Sequence, residues 1–292
     1  MFKGSFVAIV TPFDKKGLNR EGLKKNLKYL LANGAQGIVC CATTGESPVL
    51  SEEEYEEIIK ICVAEVNGKI PVIAGAGTNA TDKTIKLMHS AEDLGANALL
   101  VVTPYYNKPT QEGLYQHYKA LSSETSLPMI IYNVPGRTGV NILPKTVARL
   151  AKDCSNIVAI KEASGNLDQV SEIIKLLGDG FDVLSGDDSL TLPMLAIGAK
   201  GVISVIANIF PRTVADMCNL FFAGKTTEAQ KLHLKMFPVI KALFIETNPI
   251  PIKKAMELMG MPAGKPRLPL VEMSKENAEI LKRVLIEYGV NL

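Results

Sequence analysis

Lys161 ends a short apolar run, Ile157-Val158-Ala159-Ile160, and that placement is what gives it possible chemistry. The run is rich in β-branched residues and too short for a helix, so it reads as a buried strand with Lys161 at its C-terminal tip. An ammonium there loses hydration, and if no carboxylate pairs with it the neutral amine is favoured. A neutral amine is a nucleophile, which is what Schiff-base chemistry on a carbonyl substrate requires. The other reading is a structural lysine paired with Glu162 or with a carboxylate on a neighbouring strand.

Polar residues recur at the ends of the other apolar runs. They include Thr11, Thr43-Thr44-Gly45-Glu46-Ser47, Gly75-Ala76-Gly77-Thr78-Asn79, Tyr105-Tyr106, Tyr132, Arg137 and Ser185-Gly186-Asp187-Asp188. Such a set suits a small keto acid. Lys161 would attack the ketone, while the hydroxyls and loop N–H groups of Thr43 and Thr44 would hold a carboxylate. Tyr132 would shuttle protons during carbinolamine dehydration and enamine formation. Arg137 offers a bidentate fork for a second carboxylate, which points to a second acidic substrate. Each has a duller alternative: turn caps for Thr43 and Thr44, amphipathic rim residues for Tyr132 and Tyr106, a solvated loop arginine for Arg137. Their coincidence at one rim favours chemistry.

The elements that must position these residues follow a regular order. Eight β-branched runs begin at Phe6, Gly37, Pro71, Ala98, Met129, Ile157, Phe181 and Val202. Each is followed by a turn and a helical pattern, such as Asn19 to Ala32, Ser51 to Val66 or Leu167 to Leu177. Eight such units predict an α/β fold, a (β/α)8 TIM barrel over residues 1–224. A doubly wound open sheet would carry a glycine-rich phosphate loop after its first strand, where this chain has Thr11-Pro12-Phe13-Asp14. Thr227 to Thr247, Pro249 to Met259 and Lys275 to Tyr288 read as a C-terminal three-helix appendage, residues 225–292.

Composition narrows the partners. Across 292 residues the net charge is +2, so nothing calls for nucleic acid or another polyanion. The acidic cluster from Glu52 to Glu57 follows Ser51 and reads as the capped first turns of a helix. Five cysteines without CxxC spacing fit a reduced, cytoplasmic protein. The three histidines, His89, His117 and His233, form no ligand motif, so no metal and no cofactor are expected. The N-terminus reads as a strand, and the apolar stretch from Leu190 to Phe210 is interrupted by Gly198, Lys200 and Gly201, so no membrane span is expected.

The motifs TTGES at Thr43, PVIAGAGTNAT at Pro71, TPYYNKPTQEGLYQHY at Thr103, YNVPGRTG at Tyr132, IKEASGN at Ile160, SGDD at Ser185, GVISVIAN at Gly201 and ETNPIPIK at Glu246 carry a resemblance along nearly the whole chain. It resembles the dihydrodipicolinate synthase (4-hydroxy-tetrahydrodipicolinate synthase) family of class I aldolases, which also holds N-acetylneuraminate lyase. The resemblance implies a lyase that condenses pyruvate with L-aspartate 4-semialdehyde, the committed step of diaminopimelate and lysine biosynthesis. It implies an imine on Lys161 and a proton relay of Tyr132, Thr44 and Tyr106, with Tyr106 reaching into a neighbouring subunit. Thr43 and Thr44 would hold the pyruvate carboxylate, Arg137 the semialdehyde carboxylate, and Gly186 and Ile203 would line the lysine pocket. The family is usually a homotetramer, a dimer of dimers.

Two departures stand out. Ala42 precedes the threonine pair where the family more often has glycine. At the site where lysine inhibits some members, Ser47, Asn79 and Tyr105 match, but Glu52 and Tyr55 replace histidines and Lys83 replaces a glutamate. A cation at Lys83 repels a lysine ligand's ammonium, so weak or absent feedback is expected. A sister sugar-acid aldolase is the nearest rival reading, although such members generally lack an arginine at the place of Arg137. The rival from another class is an inactive barrel serving as a sensor or scaffold, which predicts gaps in the lysine, tyrosine and threonine set.

Overall fold

The structure, a computed structural model, describes residues 1–292. Its centre is a closed barrel of eight parallel strands: β1 Gly4–Ala8, β2 Ile38–Cys40, β3 Val72–Gly75, β4 Ala98–Val102, β5 Met129–Asn133, β6 Ile157–Glu162, β7 Asp182–Ser185 and β8 Gly201–Ser204. β1 closes the ring by pairing with both β8 and β2. A TIM barrel was the expected fold, and each of the eight expected runs overlaps one of these strands.

Period-two alternation sorts each strand between two cores. Phe6, Ala8, Val39, Ile73, Leu100, Ile130, Ala159, Leu184 and Ile203 fill the barrel interior. Val7, Ile38, Val72, Leu99, Ile131, Ile160 and Val202 face outward into the larger layer between strands and helices. Ala159 points inward, so Lys161, two residues on, points inward as well, one layer nearer the C-terminal mouth. The β5–β6 register sets Tyr132 opposite Lys161 and Asn133 opposite Glu162.

The helices begin where capping chemistry says they should. Ser51 and Glu54 form a reciprocal capping box on the helix Glu52–Val66, so the expected acidic first turn is present. Asn19, Thr110 and Asn166 cap the helices Arg20–Ala32, Gln111–Ser123 and Leu167–Leu177. The C-terminal helices are Thr226–Ala242, Ile250–Leu258 and Lys275–Tyr288. The first is shorter than the pattern predicts: it stops at Ala242, and residues 243–249 run irregularly towards the barrel mouth. Ala229, Met236, Val239, Leu281 and Leu285 join the same apolar layer as the outward face of the barrel.

Candidate active site

Lys161 is 4% exposed, and its Nζ lies 4.1 Å from the centroid of the Tyr132 ring. No carboxylate is within ion-pair distance of it. Glu162, one of the partners that the structural reading of the lysine allowed, faces the other side of the strand. Its carboxylate accepts from Asn133 Nδ2 at 3.0 Å, Gln169 Nε2 at 3.0 Å and the Ser164 N–H at 2.7 Å. Strand alternation thus separates a buried carboxylate from the lysine next to it in sequence.

Gly186 supplies room for the lysine stem. A Cβ at this position would lie 2.7 Å from Ala163 Cβ and 3.1 Å from Lys161 Cε. Ile203, 1% exposed, packs in the barrel interior with Tyr132 and Leu184.

Thr43 and Thr44 belong to a single 3-10 turn, Thr43–Gly45, that follows β2. Glu46 ends this turn with φ +56°, in the left-handed region. Its carboxylate is anchored on both oxygens: Oε1 pairs with Lys253 Nζ at 2.5 Å and Oε2 accepts from the Arg267 N–H at 2.8 Å. Lys253 is also buried, and its ammonium stands 4.4 Å from the Phe13 ring centroid. Burial pushes the Lys253 ammonium below its ordinary value, against the opposing pull of Glu46. Arg267 in turn grips Glu54 through both guanidinium nitrogens at 2.5 Å, which holds the Glu54 carboxyl below its usual range.

A cavity of about 670 Å³ opens over this turn, and Thr43, Tyr132 and Arg137 are in its wall. Arg137 lies on a short helix, Pro135–Thr138, that the sequence pattern did not reveal, and its Nη2 donates to the Asn248 carbonyl at 3.1 Å. Asn248 also donates from Nδ2 to Thr44 Oγ1 at 3.0 Å. Thr247, Asn248, Arg267 and Leu270 make the C-terminal segment part of the same wall.

Tyr106 behaves differently. It is 88% exposed, with φ +74°, and is not among the residues that line the cavity. The residues matching the lysine-effector pattern divide. Ser47, Lys83 and Tyr105 line the same cavity, and Asn79 offers its carbonyl to Asn107 Nδ2 at 2.8 Å nearby. Glu52 is exposed on the first helical turn, whereas Tyr55 is buried with its hydroxyl donating to the Leu87 carbonyl at 3.3 Å. Burial pushes the Tyr55 phenol well up.

The arrangement can form an imine: a buried amine without a counter-ion, a phenol beside it, a pair of hydroxyls on a braced turn and a guanidinium at the mouth. The model of the dihydrodipicolinate synthetase family matches residues 1–287. A 4-hydroxy-tetrahydrodipicolinate synthase of Geotalea daltonii is 54% identical over 99% of both chains. One of Methanocaldococcus jannaschii is 53% identical over 99% of this chain and all of that one. The crystal structure of dihydrodipicolinate synthase from Aquifex aeolicus superposes with a TM-score of 0.98 at 49% identity, over 100% of this chain and 99% of that one. With its barrel, its strand-end lysine and this match along almost its full length, the chain belongs to the dihydrodipicolinate synthetase family.

Proposed function

We propose that this protein is a 4-hydroxy-tetrahydrodipicolinate synthase, a lyase that condenses pyruvate with L-aspartate 4-semialdehyde on the way to diaminopimelate and lysine. The observation that carries the reading is Lys161, buried and unpaired against the Tyr132 ring. Its Nζ adds to the pyruvate ketone, water leaves, and loss of a methyl proton gives an enamine. The enamine carbon attacks the aldehyde, and the amine of the second substrate then displaces Lys161 as the ring closes.

In this reading Thr43 and Thr44 hold the pyruvate carboxylate and Arg137 that of the semialdehyde. Tyr132 and Thr44 move protons together with a neighbour's Tyr106. The outward position of Tyr106 supports a shared site, and hence a homotetramer built from dimers. Residues 1–224 act as the catalytic barrel and 225–292 as the helical unit that walls one side of the mouth. No helix is long and apolar enough to cross a membrane, and we place the enzyme in the cytoplasm. The Arg137 guanidinium favours an acidic second substrate over the polyol aldehyde of the sister aldolases.

The test is to incubate the protein with pyruvate, reduce with borohydride and locate the adduct by peptide mass spectrometry, with Lys161→Ala as control. A pyruvyl group on Lys161, with turnover of semialdehyde exceeding sialic-acid cleavage, is the expected result. A folded protein that stays unmodified would overturn it in favour of a sensor or scaffold.

A further inference from the structure

Strand β6 carries one residue more than its pairing with β5 uses. Met129 pairs with Ile157, but the next residue, Ile130, pairs with Ala159, so Val158 is left over as a β-bulge. Ile157 faces the outer layer, whereas Val158 packs against the barrel interior and Ala159 lies within it. Two consecutive residues on the inner side reset the alternation for the rest of the strand. Without the extra residue, the register that starts at Ile157 would set Tyr132 opposite Ile160 and turn Lys161 outward. The bulge is what aims Lys161 into the barrel and sends Glu162 to the outer side.

A register that shifts within a strand has to be held beyond the shift, and Glu162 stands one step past the Tyr132–Lys161 pair. Its buried carboxylate pairs with no lysine or arginine. Every group that binds it is a donor: Asn133 Nδ2 of its β5 partner reaches the two oxygens at 3.2 and 3.0 Å, the Ser164 N–H lies at 2.7 Å and Gln169 Nε2 at 3.0 Å. Asn141 closes the ring, accepting from Asn133 Nδ2 at 2.7 Å and donating to Gln169 Oε1 at 2.8 Å. We propose that Glu162 is a positioning residue for imine formation, clamping β6 to β5 in the bulged register that brings Lys161 against Tyr132. The assignment rests on the synthase reading above.

E162Q keeps the size and shape of the side chain but turns one acceptor oxygen into a donor that faces donors. The initial rate at which pyruvate, trapped with borohydride, labels Lys161 in the folded variant should fall by at least about tenfold, since a misplacement of about 1 Å can cost about a hundredfold. The double variant E162Q/Q169E restores donor to acceptor across the same contact and should regain most of the lost rate. Labelling of folded E162Q at the wild-type rate would overturn the assignment. So would a double variant whose urea midpoint recovers while its labelling rate does not, because the charge on β6 and not the clamp would then be what matters. N133A removes the cross-strand bond and keeps the test open should E162Q not fold, because labelling of N133A at the wild-type rate also refutes the clamp. A wild-type protein that is never labelled removes the synthase reading and the role with it. Equal labelling rates in wild type and E162Q remove only the role of Glu162.

Discussion

The Nζ of Lys161 lies 4.1 Å from the centroid of the Tyr132 ring, and the two residues are direct partners in the β5–β6 register. The ring packs against the amine and is itself part of the cavity wall, so the tyrosine does two separable things: it helps bury the lysine and it offers a phenol to the reaction. Tyr132→Phe keeps the burial and removes the phenol. Its kcat is expected to drop by roughly 10²–10⁴, the usual contribution of a positioned acid-base group, while the borohydride-trapped adduct on Lys161 still accumulates. Steady-state rates and end-point mass spectrometry on one preparation separate the two effects.

Gly186 tests whether the lysine stem needs its groove. The Cβ of Gly186→Ala would sit 2.7 Å from Ala163 Cβ and 3.1 Å from Lys161 Cε, closer than packed side chains tolerate. Either the lysine or strand β7 must shift. Overpacking of this kind costs about 1–3 kcal/mol, read as a lower urea midpoint. Adduct yield should fall at the same time, because the displaced atom belongs to the nucleophile's own chain.

The pair Glu46 and Lys253 is buried on both sides, with side chains 1% and 2% exposed. Removing one partner strands the other charge, so Lys253→Met is expected to destabilise by about 3–5 kcal/mol. The double variant E46M/K253M should recover part of that loss, since no uncompensated charge remains. Activity is not expected to return with it, because Glu46 also fixes the Thr43–Thr44 turn through the Arg267 N–H. Denaturant midpoints and kcat for the three proteins decide the point.

Lys83 lines the cavity with Ser47 and Tyr105. A free lysine bound there would bring a second ammonium to a cation, and like charges at close range work against occupancy. Millimolar lysine is therefore expected to leave the wild-type rate nearly unchanged. Lys83→Glu reverses the sign and should raise lysine affinity by at least about tenfold, one close charge contact converted from repulsion to attraction. Half-inhibition of the wild type by micromolar lysine would show that the rest of the pocket outweighs Lys83.

The barrel and the strand-end residues were legible because their signals are local. A β-branched run followed by polar residues marks a strand and its mouth, and Lys161, Tyr132, Thr43 and Gly186 all sit at such ends. Asn248 and Arg267 left no such mark. Asn248-Pro249 reads as punctuation between two helices, and only the folded chain returns it to Thr44 across 204 residues. The helix expected to run to Thr247 stops at Ala242 for a related reason. Its last apolar positions, Phe244 and Ile245, keep helical spacing but are partly exposed, so no packed face sustains the helix. The four-residue helix carrying Arg137 is too short for any periodicity to show. Tyr106 is legible as a rim residue, but within one chain it stays 88% exposed.

His117 should govern stability on the acid side. It is 7% exposed, its Nδ1 lies 2.9 Å from Thr81 Oγ1, and its buried Nε2 has no partner. A proton added at Nε2 would meet no acceptor, and burial lowers this imidazole from 6.5 to about 4. The folded protein therefore keeps His117 neutral at pH values where the unfolded chain has already protonated it. Above about 6.5 both states are neutral, and the site imposes no acid-linked penalty. As the pH falls from there to about 4, the unfolded state gains a proton that the folded state refuses, and stability drops. The full swing across that window is about 3 kcal/mol, from 1.36 kcal/mol per unit of difference. His117→Leu cannot titrate, so its unfolding free energy should fall less steeply between pH 6.5 and 4.5 than that of the wild type, whatever its value at neutral pH. Urea titrations of both proteins across the window test this, and parallel curves would mean that His117 is protonated in the folded state.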